Sequence, residues 1–134
     1  MRSMITKVVP QFFTSDLSAT LQYYREMLGF ETGFVYGEPP CYAGAVRDGA
    51  SIFFRLVGVP PVHGAEKYTE EFLDAYILVE DVDALYAEYR SRGVTLAREI
   101  GSMPWSFREF VVKDCDGRLL CFGQYAECAE GSPS

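Results

Sequence analysis

Residues 104–124 read PWSFREFVVKDCDGRLLCFGQ, and the pattern inside them is that of a β-hairpin. Arg108 to Lys113 alternates as a strand, Asp114-Cys115-Asp116-Gly117 forms a tight turn, and Leu119 to Gln124 returns as a second strand. The Asp-Gly pair explains the turn: glycine tolerates positive φ, and an aspartate side chain bonds the backbone just beyond it. Working back from this hairpin, the same turn occurs 68 residues earlier as Asp48-Gly49. Other matches fall at a nearly constant spacing. Asp16-Leu17 corresponds to Asp81-Val82 and Tyr24-Arg25 to Tyr89-Arg90, each 65 residues apart. Matching turns and matching helix starts in one order indicate an internal repeat.

The elements expected between these landmarks complete two copies of one unit. Lys7 to Phe13 reads as a strand in which Pro10 lacks a ladder donor, so an edge position or an irregular start is expected. Thr14, Ser15 and Asp16 offer N-cap oxygens for a helix from Leu17 to about Leu28, with Leu17, Leu21, Tyr24 and Leu28 on one apolar face and Gly29 as its stop. Strands follow at Glu31 to Tyr36, Tyr42 to Arg47 and Ser51 to Val57. Gly58 to Tyr68, with three turn-formers and the only histidine, His63, reads as a loop. The second copy runs through a strand at Leu73 to Val79, a helix from Glu80 to Arg92 capped by Asp81, a strand at Thr95 to Ile100, and the hairpin. Ala126 to Ser134 reads as a frayed tail.

The predicted order is therefore β-α-β-β-β twice, an α+β fold of two βαβββ modules in tandem. They are expected at residues 5–58 and 72–125 of a single domain, 1–126, with 127–134 as a flexible tail. Each module covers one sheet face with its helix. The expectation for the whole is a curved mixed sheet whose concave face, lined by alternate strand residues, takes a small ligand.

Bulk properties narrow the function. A chain of 134 residues with 49% hydrophobic content suits one well-packed domain. Its net charge of −7 and lack of a Lys/Arg run exclude nucleic acid and anionic membrane surfaces as expected partners. No segment approaches the roughly 18–20 apolar residues of a membrane helix, and no secretory leader is evident. Cys41, Cys115, Cys121 and Cys128 form no C-x-x-C pair, and reduced thiols in a cytoplasmic protein are expected.

Three segments carry a family resemblance: FFTSDLSATLQYYREMLGF (12–30), LVEDVDALYAEYRSRGV (78–94) and the 104–124 hairpin. Together they resemble the glyoxalase, bleomycin-resistance and extradiol-dioxygenase group, the vicinal oxygen chelate superfamily. In its enzymes, the resemblance implies, the first and last strands of each module supply four ligands to a divalent metal. Carried onto this sequence, those places fall on Val9, Phe53, Asp74 and Cys121. Two are hydrocarbon, and a catalytic site needs about three N, O or S donors. An Asp74-Cys121 pair completed by His63 is the alternative weighed against a solvated loop histidine. The expectation is no bound metal, no cofactor and no catalytic residue.

No Ser-His-Asp set is possible with one histidine, and no phosphate loop is present. Glu70-Glu71 and Glu80-Asp81 read as solvated first turns. Aromatic side chains are the feature left. Phe34, Tyr36, Tyr42, Phe53, Phe54, Trp105 and Phe107 lie on or beside predicted strands, and aromatic walls bind flat or cationic molecules. Strand parity lets about half of them face a ligand. Trp105, in a loop after Pro104, is the ring least needed for packing. Arg108, Glu109 and Arg55 pose one question: an exposed salt link on the outer face, or a charge facing the ligand. Arg108 is the candidate for a carboxylate or phosphate.

The resemblance points to the metal-free bleomycin-resistance branch: a homodimer that sequesters an aromatic, potentially cationic, small molecule without chemistry. The alternatives are a metal-dependent lyase, isomerase or dioxygenase of the same superfamily, and a domain that docks on another protein through an apolar patch.

Overall fold

In the computed structural model, which describes residues 2–126, the described chain divides into two units, residues 2–60 and 61–126. The first unit contains β1 (Gln11–Thr14), α1 (Leu17–Glu26), β2 (Glu31–Tyr36), β3 (Tyr42–Arg47) and β4 (Ala50–Leu56). The second contains α2 (Ala65–Thr69), β5 (Ala75–Leu78), α3 (Val82–Ser91), β6 (Leu96–Ser102), β7 (Phe107–Lys113) and β8 (Leu119–Tyr125). Each unit has one four-stranded mixed sheet, in the orders β1-β4-β3-β2 and β5-β8-β7-β6. The first strand lies parallel to the last, and the other neighbours are antiparallel.

The doubled βαβββ pattern read from the sequence is the pattern observed. Asp16 caps α1 by accepting from the Ala19 amide at 3.0 Å, and Asp81 caps α3 by accepting from Ala84 at 3.1 Å. Each helix covers one sheet face through a tyrosine. Tyr24 meets Phe54 and Phe30 edge-on at 4.9 and 5.8 Å, and Tyr89 meets Phe122 and Phe110 at 5.4 and 6.1 Å. Every one of these rings is buried. Period-2 alternation then sends the intervening residues to the helix-free face.

Several boundaries differ from expectation. β1 begins at Gln11 instead of Lys7, because Pro10 cannot donate to the ladder, and β1 is an edge strand of its sheet. The segment expected to be loop through Tyr68 contains the short helix α2, which buries none of its residues and so leaves no apolar periodicity to read. The 104–124 hairpin forms as predicted. Asp114 accepts from the amides of Asp116 and Arg118 at 2.9 Å each, while the buried Arg118 guanidinium grips Asp114 at 2.7 Å and Asp116 at 3.0 Å. The expected tail falls outside the described residues apart from Ala126, as does Cys128. Among the described residues, no helix is long and apolar enough to cross a membrane.

Candidate functional site

On the helix-free face of the first unit, Phe34, Tyr42 and Phe53 form an aromatic trio. Their ring centroids lie 5.3 to 5.9 Å apart, and each pair is tilted or edge-on. Gly44 in β3 makes room for it. A Cβ there would come within 2.5 Å of the Phe34 ring and 3.3 Å of the Phe53 ring. Gln11 accepts a 2.5 Å hydrogen bond from the Tyr42 hydroxyl, and Lys7 donates to Ser51 at 2.8 Å. Arg55, paired in register with Phe13 of β1 and Tyr42 of β3, shares this face and is exposed.

The sheet face opposite α3 in the second unit combines rings with charge. Glu109 of β7 is 2% exposed. Its Oε1 accepts from the Tyr76 hydroxyl at 2.6 Å and the Trp105 indole N–H at 3.3 Å, and its Oε2 accepts from Arg98 at 2.7 Å. Arg98 also donates to both oxygens of Glu71, at 2.8 and 3.1 Å. Tyr76, Phe107 and Tyr125 form a row of edge-on contacts at 5.9 and 5.8 Å. Gly123 in β8 lets Tyr76 lie flat on the sheet, since a Cβ there would collide with the Tyr76 hydroxyl. Residues 61–74 reach the same face, with the Tyr68 ring 4.6 Å from Lys113 Nζ and its hydroxyl donating to the Gly117 carbonyl.

This network sets the local titration. Burial pushes the Glu109 carboxyl up, but hydrogen bonds from Tyr76, Arg98 and Trp105, together with the Arg98 charge, outweigh it and hold Glu109 below the usual carboxylate range. The Tyr76 hydroxyl is raised, first by burial and then by its bond to Glu109. Burial, followed by the nearby Glu109 charge, pushes the Cys121 thiol up to about 12. Arg98 is raised, chiefly by its hydrogen bond to Glu71.

The structure separates the residues singled out from sequence. Phe34, Tyr42 and Phe53 share one face of the first unit, and Trp105 and Phe107 belong to the second-unit face. Phe54 does not join them: it is wholly buried under α1, because it is one residue out of phase with Phe53. Tyr36 sits at the end of β2, two-thirds exposed and paired in register with Tyr42. Arg108 points away from the rings and makes a bidentate salt link to Asp83 of α3, at 3.0 and 2.8 Å, which leaves Glu109 as the inward residue. The arginine as carboxylate grip is corrected accordingly. Glu71, expected to be solvated, is the partner of Arg98. Tyr76, Arg98 and Gln11 lie beyond what the sequence signals, because their places follow from the strand registers.

The expected metal places Val9 and Asp74 precede their strands. Asp74 instead accepts from the Leu119 amide at 2.9 Å and from Lys67 at 2.6 Å. The residues in register with Phe53 and Cys121 are Gln11 and Tyr76. His63 is occupied at the hairpin turn, 3.0 Å from the Asp116 carbonyl. Among the described residues, no three His, Cys, Asp or Glu side chains group as a metal site. Phe53 offers no donor atom, so the first-unit places leave Gln11 alone, and the second-unit pair of Tyr76 and Cys121 falls short of the three N, O or S donors that a catalytic ion needs.

Two βαβββ units, each with a ring-lined sheet face, define the class of protein, and comparison places the chain within it. Residues 6–122 match the model of the Glyoxalase/Bleomycin resistance protein/Dioxygenase superfamily, and the chain belongs to that family. Among curated protein sequences none matches. Solved structures with the same fold include TioX from Micromonospora sp. ML1, with a TM-score of 0.72, 18% identity, and coverage of 90% of this chain and 98% of that one. The bleomycin-binding protein of bleomycin-producing Streptomyces verticillus, complexed with copper(II)-bleomycin, is similar at a TM-score of 0.66 and 24% identity over 95% of this chain and 100% of that one. The bleomycin resistance determinant encoded on transposon Tn5 is similar at a TM-score of 0.71 and 17% identity over 90% and 98%.

Proposed function

We propose that this protein captures an aromatic small molecule on its ring-lined sheet faces, as a homodimer, without a metal and without chemical turnover. The observation that carries the reading is the Phe34-Tyr42-Phe53 trio on the helix-free face, with Gly44 left bare beneath it. Rings that serve only packing lie under a helix, as Phe54 does. These three lie on the face the helix leaves open, where they offer edges and faces to a flat guest. The donor sets speak for binding over metal chemistry, since Phe53 carries no donor atom and, among the described residues, no three His, Cys, Asp or Glu side chains group together. Likeness to a bleomycin-binding protein supports a small-molecule ligand. A twofold dimer is the commonest soluble assembly.

Titration calorimetry against a panel of glycopeptide and flat aromatic antibiotics tests the reading. At least one is expected to bind, and Phe53→Ala should weaken it about tenfold or more. Absence of binding across the panel, or about one equivalent of tightly held Zn, Ni, Fe or Mn in protein purified without chelator, overturns it.

A further inference from the structure

In the second unit, two exposed rings are hydrogen-bonded to one buried anion. Trp105 is 57% exposed and Tyr76 41%, yet the indole N–H and the phenol O–H both end on Oε1 of the buried Glu109. Donation to a carboxylate moves electron density into the donor's ring, so both π faces become more attractive to a cation. The second carboxylate oxygen is taken by Arg98, which divides its charge between Glu109 and Glu71 and leaves one net negative charge among the three. Phe107, edge-on to Tyr76 at 5.9 Å, extends the aromatic wall.

The hydrogen-bond accounting selects the kind of cation. The Glu109 oxygens already hold three donors and are shielded from solvent, so a primary ammonium arriving over the rings loses water without gaining an equivalent acceptor. A quaternary ammonium has no N–H to satisfy. Its methyl groups pack on the ring faces while its charge is met by the enriched π systems and the field of the anion behind them.

We propose that Trp105 and Tyr76, backed by Glu109, form a seat for a quaternary or fully methylated ammonium group. The inference rests on the small-molecule-binding reading and concerns the second-unit face alone.

Trp105 is the only tryptophan, so its emission reports directly on the seat. The full chain is titrated with choline, with 3,3-dimethyl-1-butanol as its neutral counterpart, and with ethanolamine as a primary ammonium. Choline is expected to change the emission saturably, with a Kd at least about tenfold below both others. Glu109→Gln should erase most of that preference. Because this variant disturbs a buried ion pair, Tyr76→Phe serves as the second test: it keeps the ring, removes the hydroxyl's link to the carboxylate together with its contact to Cys121, and should weaken choline about threefold while leaving the alcohol unchanged. Equal affinity for choline and the alcohol, or unaltered choline binding in a folded Tyr76→Phe protein, overturns the proposal. If flat uncharged compounds still bind in that case, only the ammonium seat is refuted. If choline binds and no aromatic compound does, it is the broader reading that fails.

Discussion

Removing the hydroxyl of Tyr76 tests whether the Glu109 network holds the second unit together. The bond is 2.6 Å long and ends on a carboxylate that is almost wholly buried. Hydrogen bonds to charged groups contribute about 1.5–3 kcal/mol, and the partial exposure of Tyr76 places this one at the lower end. Tyr76→Phe should therefore lose about 1.5 kcal/mol. With a urea m-value of about 2 kcal/mol/M, the unfolding midpoint should fall by roughly 0.7 M. A double-mutant cycle with Glu109→Gln isolates the pair. If the hydroxyl acts through the carboxylate, Tyr76→Phe should cost about 1 kcal/mol less in the Glu109→Gln background than in the parent. A cost below about 0.3 kcal/mol in the parent, or the same cost in both backgrounds, would refute the idea that this bond is a structural tie.

Gly44→Ala pushes the added methyl into the Phe34 ring, and should disrupt the aromatic trio and weaken binding of a flat ligand about tenfold, read by calorimetry; unchanged affinity would show that the trio is not the binding surface. Exposed Cys41 and Cys115 should react with a thiol reagent at about pH 8 in the native protein, whereas Cys121, buried with its thiol pushed up to about 12, should react only on unfolding. Two shifts bound stability against pH. Glu109, depressed in the folded state, contributes stability above its ordinary range of about 4.3 that is lost as pH falls through the lower folded value. Cys121, raised, makes stability fall as pH climbs from about 8.5, where the unfolded thiol ionises, toward about 12; denaturant midpoints flat across both windows would contradict this. Asp16→Ala and Asp81→Ala should each cost about 1 kcal/mol and add, because each removes an N-cap bond in a different unit, and chemical denaturation of the double variant checks the sum.

Much of the fold was legible because its punctuation is local. β2 and β3 have the bounds read from sequence, since Gly37 to Pro40 and Asp48-Gly49 bracket them with turn chemistry that needs no tertiary help. The capping aspartates located both helices for the same reason. The site was less legible because it depends on parity and register, which a one-residue slip inverts. Phe53 and Phe54 look alike in sequence, yet one lies among the exposed-face rings and the other under α1. Arg108 and Glu109 likewise divide between the two faces, and only the pairing of Glu109 with Gly123 fixes which goes where. Arg98 gave no signal at all, because the register shifts in the β6-β7 pairing break the alternation that would have announced it.

The parallel pairing of each opening strand with its closing strand bears on how the chain acquires its structure. Gln11 waits for Phe53, and Ala75 for Leu120, before either ladder can form. Closing intervals of that length costs about 3 kcal/mol of chain entropy, so the local hairpins β3-β4 and β7-β8 should appear early and the edge ladders last. Until then β4 and β8 each keep one flank unzipped, and a chain caught at that stage is the form most exposed to sticking to its neighbours.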